Sequence, residues 1–358
     1  MILNQPIIVK FVMGGRFVVL TNSEMTAYRR CSLEHHIAFE LAIRPLGANA
    51  EALRFGSLFH LGLASWWLAY QHPGEQLDAA IEAMRPEALD EYDQIRAEVL
   101  MRGYDARWAQ SEDIEVLAVE HQFITSLRNP LTGAASRTYE LAGKLDIVVL
   151  NRADERVYIG EHKTSGDDIS PGSQYWEKLR IDAQISTYFE GARAMGYEPA
   201  GCLYDVIGKP KQKPLQATPE EKRRYTKAGV LYAQDRDRDE TADEYGARLA
   251  EVICKDPDKF YRRGFVVRLP DEEREAAFDV WQTARRMRED KAAAIWPRNP
   301  NACERFNRMC DYFDYCTRAA SLDDLTRFQH VDNVHPELTG LDAMVEARYA
   351  GAEVDAAE

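Results

Sequence analysis

The sequence predicts an α/β fold: a central mixed β-sheet with flanking helices and an α-rich insertion in its first third. Three observations point there. The first hundred residues carry apolar positions at helical period, the region 116–164 switches to β-branched and aromatic runs divided by turn signals, and beyond 182 helices and strands alternate. With 358 residues, 45% of them hydrophobic, the chain holds enough apolar material for one large domain or two smaller ones.

Taken in order, residues 1–20 read as an N-terminal extension forming a short hairpin. A helix begins near Asn22, whose side chain caps it. A second helix runs from about Ala50 to Tyr70, dense in Leu, Phe and Trp, and 72–110 keeps helical period with breaks at Pro73 and Pro86. Together these make a helical lobe at about 61–112. The segments VLAVEHQFIT (116–125), TYELAGKLDIVVL (138–150) and RVYIGEHKT (156–164), parted by NPLTG and NRADE, form a three-stranded meander. A helix from about Asp182 to Met195 follows, then the strand AGCLYDVIG (200–208) and a charged segment reaching about Lys259. The strand GFVVRL (264–269) and a long helix from about Asp271 to Ala294 complete the pattern. DRDRDETADEYG (235–246) reads as an exposed loop or helix start, and no internal repeat is visible.

The net charge of −14 speaks against a generally basic, phosphate-wrapping protein. Its distribution softens the point. From 320 to 358 nine acidic residues face only Arg327 and Arg348, so half the excess lies in an acidic C-terminal tail, 319–358. Conversely, GKPKQKP (208–214) and EKRRYTK (221–227) gather seven basic residues. No apolar run approaches the ~18–20 residues that cross a bilayer, and the first residues lack the ordered features of a secretory leader. The expectation is a cytoplasmic protein with no membrane partner.

GKLDIVVLNRADERVYIGEHKTS (143–165) places three charges in strands whose neighbours are apolar. Glu161 and Lys163 share a face while His162 points the other way. With Leu150 opposite Val157, antiparallel counting puts Asp146 opposite Glu161, and carboxylates facing each other at about 5 Å repel unless a proton or cation intervenes. A hard divalent ion, Mg²⁺ or Mn²⁺, answers that need, and Lys163 would hold or help deprotonate a water on it. Such equipment attacks phosphodiesters. The plain alternative is a salt-bridge network on a solvated sheet face, which the flanking IVVL and VYIG runs disfavour.

The pattern D-x14-E-x-K after the glycine of GKLD resembles the PD-(D/E)XK nuclease superfamily, in particular its RecB-like branch. RFGSLFH (54–60) resembles the branch's G-x-x-x-H helix, which implies that His60 joins the metal site. QISTY (184–188) resembles its Q-x-x-x-Y motif, so that Gln184 and Tyr188 would position the substrate strand. Glu120 in VEHQF matches a further acidic position. Leu145 stands where the superfamily name has proline, a position that varies in this branch. The resemblance spans about Thr21 to Arg318 and implies a restriction-endonuclease-like core. Its metal ligands would be His60, Asp146, Glu161 and the carbonyl of His162, and its catalytic residues Asp146, Glu161, Lys163, Gln184 and Tyr188. Lys209, Lys211, Lys213, Arg223 and Arg224 would contact phosphates.

Clustered cysteines in a protein of this class bind metal more often than they form disulfides. CERFNRMCDYFDYC (303–316) supplies three thiols at C-x6-C-x5-C, and a tetrahedral zinc or a cubane needs four ligands. The arrangement resembles the iron–sulfur staple of AddB-type nucleases, which implies a [4Fe–4S] cluster on Cys31, Cys303, Cys310 and Cys316, with zinc as the alternative because that family more often spaces the first pair C-x2-C. Cys202 and Cys254 read as buried thiols. The combined expectation is a metal-dependent DNA nuclease, an exonuclease on single-stranded or end-opened DNA in phage or bacterial recombination and repair. Two other classes compete: a catalytically silent DNA-binding module and a zinc-stabilised interaction protein. No G-x-x-x-x-G-K-[ST] phosphate loop is present, so no built-in ATP-driven helicase is expected.

Overall fold

A computed structural model describes residues 18–47, 51–109, 113–305 and 308–338, with backbone alone for 51–53. The expected N-terminal hairpin lies almost wholly outside the described residues, as does 339–358 of the acidic tail.

The chain begins with β1 (Val18–Leu20), α1 (Asn22–Arg30), the single turn α2 (Ser32–His35) and β2 (Ile43–Pro45). The lobe helices are α3 (Glu51–Leu68), α4 (Gln76–Met84) and α5 (Glu91–Trp108). Then come β3 (Ile114–Arg128), β4 (Ala135–Asn151), β5 (Arg156–Ser165), α6 (Gln174–Leu179), α7 (Ala183–Ala194) and β6 (Pro199–Gly208). The chain continues through α8 (Ala242–Lys255), β7 (Tyr261–Val266), α9 (Pro270–Ala293), the short pair β8 (Glu304–Arg305) and β9 (Arg308–Met309), α10 (Phe313–Cys316) and β10 (Phe328–His330).

The mixed sheet runs β1-β4-β5-β6-β7, with β3 paired to β4. The meander β3-β4-β5 is antiparallel, β5 and β6 are parallel, and β1 joins β4 in parallel. One sheet face is covered by α3, α5 and α8 through Phe59, Leu63, Trp66, Trp67, Tyr104 and Tyr245, against Ile147, Val149, Leu203 and Ile207, with Ala80, Ile81 and Met84 of α4 in the same core. Each fully buried side chain of this size contributes about 1.5–3 kcal/mol, so the lobe is bound into the sheet. The other face packs Ile185, Phe189 and Ala192 of α7 onto Leu145, Val148, Ile159 and Val206. Helices α1 and α9 close over the start of β4 through Met25, Val280 and Met287.

Three local expectations are corrected. Thr21, in the extended conformation, caps α1 by accepting the Glu24 N–H, so Asn22 is already helical. The stretch 235–246, expected to be a loop or helix start, does start a helix: α8 opens there with a reciprocal capping box between Thr241 and Glu244. Strand β7 begins three residues earlier than expected and also ends three earlier, because Leu269 is the N-cap of α9 and Pro270 its first residue. Cys254 is exposed on α8, whereas Cys202 is buried in β6. Residues at the start of the presumed tail are also folded in: β10 pairs with β2, and Leu338 is buried against Ile124 and Ala142.

Candidate active site

The site is made by the way β4 shares its edges. Strand β3 follows one edge, while β1 takes the other at residues 139–141 and β5 takes it again from Ile147 to Asn151. Between these pairings β4 forks away from β5. Asp146 sits in the fork, and its ladder stops at Ile147↔Gly160, one pair short of the direct Asp146–Glu161 opposition counted from the sequence. Instead, the His162 N–H donates to Asp146 Oδ2 at 2.8 Å. Both carboxylates are buried, Asp146 at 8% and Glu161 at 1% exposure.

Electrostatics then separates the two acids. Burial pushes Glu161 up to about 8 against the pull of Lys163, with Asp146 adding to the rise. Asp146 is buried too, yet His60, His162, Lys163 and the His162 amide together hold its carboxyl below the usual range. Lys163 pairs with Glu161 Oε1, and despite burial Glu161 and Asp146 raise it, so it is a fixed cation rather than a base. His60 on α3 has Nδ1 3.8 Å from Asp146 Oδ2; burial lowers it to about 4, which leaves the imidazole neutral near pH 7. Gly56, one turn earlier, brings α3 against β5: a Cβ there would lie 3.4 Å from Thr164 Oγ1.

Gln184 and Tyr188 face the same side of α7 and are hydrogen-bonded, Gln184 Nε2 donating to the Tyr188 hydroxyl at 2.7 Å. Burial raises Tyr188, and Glu161 and Asp146 add to that, which puts the pair in the field of the acids. Gly143 of GKLD lets the rings approach, since a Cβ would meet Phe123 at 2.8 Å and Tyr188 at 3.2 Å. Glu120 lies level with Asp146 between Val119↔Ile147 and His121↔Leu145, has φ 51° and is ion-paired to Lys144. A left-handed glutamate is a strained feature of the kind that collects at functional sites.

The sequence reading missed a second, deeper cluster. The His162 ring points away from Glu161, stacks on Trp67 at 5.9 Å and lies 3.6 Å from Asp205 Oδ2. Asp205 is 1% exposed and accepts from Tyr104 Oη at 2.6 Å and Arg263 Nη2 at 2.8 Å. Arg263 lies 4.1 Å over the Trp108 ring. The available signal was a lone aspartate in the apolar run CLYDVIG, the same anomaly that drew notice to Asp146. Tyr204 was likewise passed over; it stands beside Glu161 in the parallel register, with Tyr175 and Trp176 leaning on it.

Other expected site residues fare differently. Lys211 and Lys213 are exposed, and the Lys209 N–H donates to Ser165 O, just beyond Lys163. Arg223 and Arg224, expected to contact phosphates, are used in folding: Arg223 donates to the Thr218 and Asp237 carbonyls, and Arg224 is bidentate to Asp235.

The four-cysteine cluster is not supported. Cys31 and Cys303 are near enough to Cys316 to raise its thiol, after the larger effect of burial. Nevertheless, among the described residues no three His, Cys, Asp or Glu side chains close up as a ligand group. The ends of the fold are joined by other means: Leu33 N–H to Pro297 O at 3.3 Å, Asn299 Nδ2 to Arg30 O at 2.8 Å, and the His36–Trp296 stack at 3.5 Å.

For a divalent cation the fork offers two carboxylates and a neutral imidazole, and among the described residues the buried Glu161 Oε2 has no hydrogen-bond partner. That donor set fits a hard ion. Among the described residues these donors do not close into a shell, because Glu161 is turned to Lys163.

Compared with known families, the chain matches the PD-(D/E)XK nuclease superfamily over residues 19–317. It therefore belongs to that superfamily, a class of phosphodiester-cleaving enzymes that typically use Mg²⁺ or Mn²⁺. None of the curated proteins compared matches it. No described helix is long and apolar enough to cross a membrane.

Proposed function

We propose that the protein is a metal-dependent deoxyribonuclease with its nuclease domain at 21–318. In this reading it is an exonuclease on single-stranded or end-opened DNA, working in recombination or repair in the cytoplasm of a bacterial or phage-infected cell. One observation carries it: in a chain of this superfamily, two buried carboxylates, a neutral imidazole and a protonated amine converge where β4 and β5 part.

Asp146, Glu161 and His60 would hold Mg²⁺ or Mn²⁺, with the His162 carbonyl as a further ligand. When bound, the ion lowers the pKa of a water and offsets charge on the phosphoryl oxygens. The remaining work falls to the protein. Lys163 keeps its positive charge and stabilises negative charge developing on the attacked phosphate. Its pairing with Glu161 fills the gap that a cation would take over. Gln184 and Tyr188 hold each other in one orientation and so present a fixed amide and hydroxyl to the substrate strand. Lys209, Lys211 and Lys213 supply phosphate contacts beside the catalytic strand; Arg223 and Arg224 brace the loop that follows.

The test uses end-labelled single strands, end-labelled duplexes and circular single strands, with Mg²⁺ or Mn²⁺ and with Asp146→Ala as control. Release of short products from ends, absent in the variant, supports the reading. Cutting of circles would make the enzyme an endonuclease. Binding without cleavage by the wild-type protein under every condition would make the chain a silent DNA-binding module.

A further inference from the structure

Between β6 and α8 the chain makes an excursion, 209–240, that the catalytic reading uses only at its root. In a protein of net charge −14, residues 209–227 carry seven basic side chains and two acidic ones. The base of the excursion is firmly tied. Leu215 N–H donates to the carboxylate of Glu240, which is 3% exposed and paired to Arg248, and Glu240 N–H returns to Leu215 O. Thr218 N–H donates to Arg236 O at 2.9 Å, and Arg236 N–H to Thr218 Oγ1 at 3.0 Å. Arg223 and Arg224 add their bonds to Thr218, Asp237 and Asp235.

This tied base carries a small hairpin. Thr226 N–H bonds Val230 O at 2.8 Å, Tyr232 N–H bonds Arg224 O at 3.0 Å, and the two bracket a bridge between Tyr225 and Leu231, with Gly229 turning at φ 78°. Its tip exposes Tyr225 at 53%, Val230 at 63% and Tyr232 at 44%. Alternation along an antiparallel pair sends Tyr225 to one face and Tyr232 to the other. Among the described residues neither tyrosine has a ring or hydroxyl partner, and Lys211, Lys213, Lys222 and Lys227 have no ion pair. Free aromatic rings beside free ammonium groups, on a braced arm, match the chemistry of single-stranded nucleic acid, whose bases stack and whose phosphates seek cations. A protein partner fits less well, because lysine is depleted at protein–protein interfaces. A duplex fits less well too, because its bases are already stacked.

We propose that the 224–232 hairpin is a binding arm for unpaired nucleic acid. Tyr225 and Tyr232 stack on bases and Lys222 and Lys227 meet the adjoining phosphates. The strand then runs back over Lys213, Lys211 and Lys209 to the catalytic end of β5. The substrate class rests on the nuclease reading; the binding test does not.

Fluorescence anisotropy of a labelled oligothymidylate and of a blunt duplex, in EDTA so that nothing is cut, compares the wild-type chain with the double variants Tyr225→Ala/Tyr232→Ala and Tyr225→Phe/Tyr232→Phe. The alanine pair is expected to weaken single-strand binding by about tenfold or more, the phenylalanine pair to retain it, and duplex binding to stay unchanged. Unchanged single-strand affinity in the alanine pair, an equal loss on duplex, or no single-strand binding by the wild type overturns the proposal. Hydrolysis of bis(p-nitrophenyl) phosphate with Mn²⁺ reads the catalytic centre separately and should be the same in all three proteins. The nuclease reading stands or falls on cleavage of the end-labelled strands, while the binding comparison decides on the arm.

Discussion

Replacing Asp205 by Asn should cost the fold about 3 kcal/mol or more, at the lower end of the range for removing one partner of a buried ion pair. Asparagine keeps an acceptor for the Tyr104 hydroxyl, so the loss is the charge that balances Arg263, whose side chain is 9% exposed. The aromatic faces of Trp108 at 4.1 Å, Trp67 at 5.6 Å and Tyr104 at 6.0 Å still favour that cation, but a desolvated cation–π contact is worth only about 2 kcal/mol. At roughly 2–4 °C per kcal/mol the melting temperature should fall by about 6–12 °C. Arg263 and His162 hold the Asp205 carboxyl well below the usual range although burial opposes them. Its stabilisation is therefore complete above the unfolded value near 3.9 and lost only in stronger acid. The gap between wild type and variant should accordingly be flat from about pH 5 to 9. Urea and thermal unfolding across that range measure it. The double variant Asp205→Asn/Arg263→Met should recover much of the loss, since no buried charge is left unpaired. Because the His162 amide binds Asp146 and its ring faces Asp205, cleavage by the single variant should drop about tenfold even well below its melting point. A loss under about 1 kcal/mol, or a double variant as unstable as the summed singles, would refute the reasoning.

Glu161 titrates with the opposite sign. Its carboxyl is raised to about 8, so in EDTA the wild type should lose stability as pH rises through that value, while Glu161→Gln should not; melting curves against pH decide. For the same reason the Mn²⁺-induced thermal shift should strengthen up to about pH 8, by roughly tenfold in affinity per pH unit below it, with His60 neutral throughout; a pH-independent shift would exclude Glu161 as a ligand. Gly103→Ala should cost about 1–3 kcal/mol, since its Cβ would stand 2.1 Å from the Tyr261 hydroxyl that donates to Leu100 O, while Gly166→Ala meets open space and should be nearly neutral in urea unfolding.

Much of this site is legible in the sequence, because strand alternation and chain order are local. They put Glu161 and Lys163 on one face, turned His162 to the other and placed Gln184 and Tyr188 one turn apart. The register Leu150↔Val157 also followed from the loop between the strands. The fork was not legible, because it depends on β1 and β5 competing for one edge of β4, and no local pattern encodes which distant strand arrives. The same limit hid the Asp205–Arg263 pair, whose members lie on adjacent strands with α8 between them in the chain. It also hid the use of Arg223 and Arg224 as braces, since a basic run looks the same whether its charges meet phosphate or the protein's own carbonyls. By itself the sequence determined the element types, the faces and the acid, amine and imidazole chemistry, through steric periods of two and 3.6 residues. Tertiary structure decided what each charge faces, and with it which carboxyl is pushed up and which is held down, since burial and neighbours, unlike periodicity, are set by the whole fold.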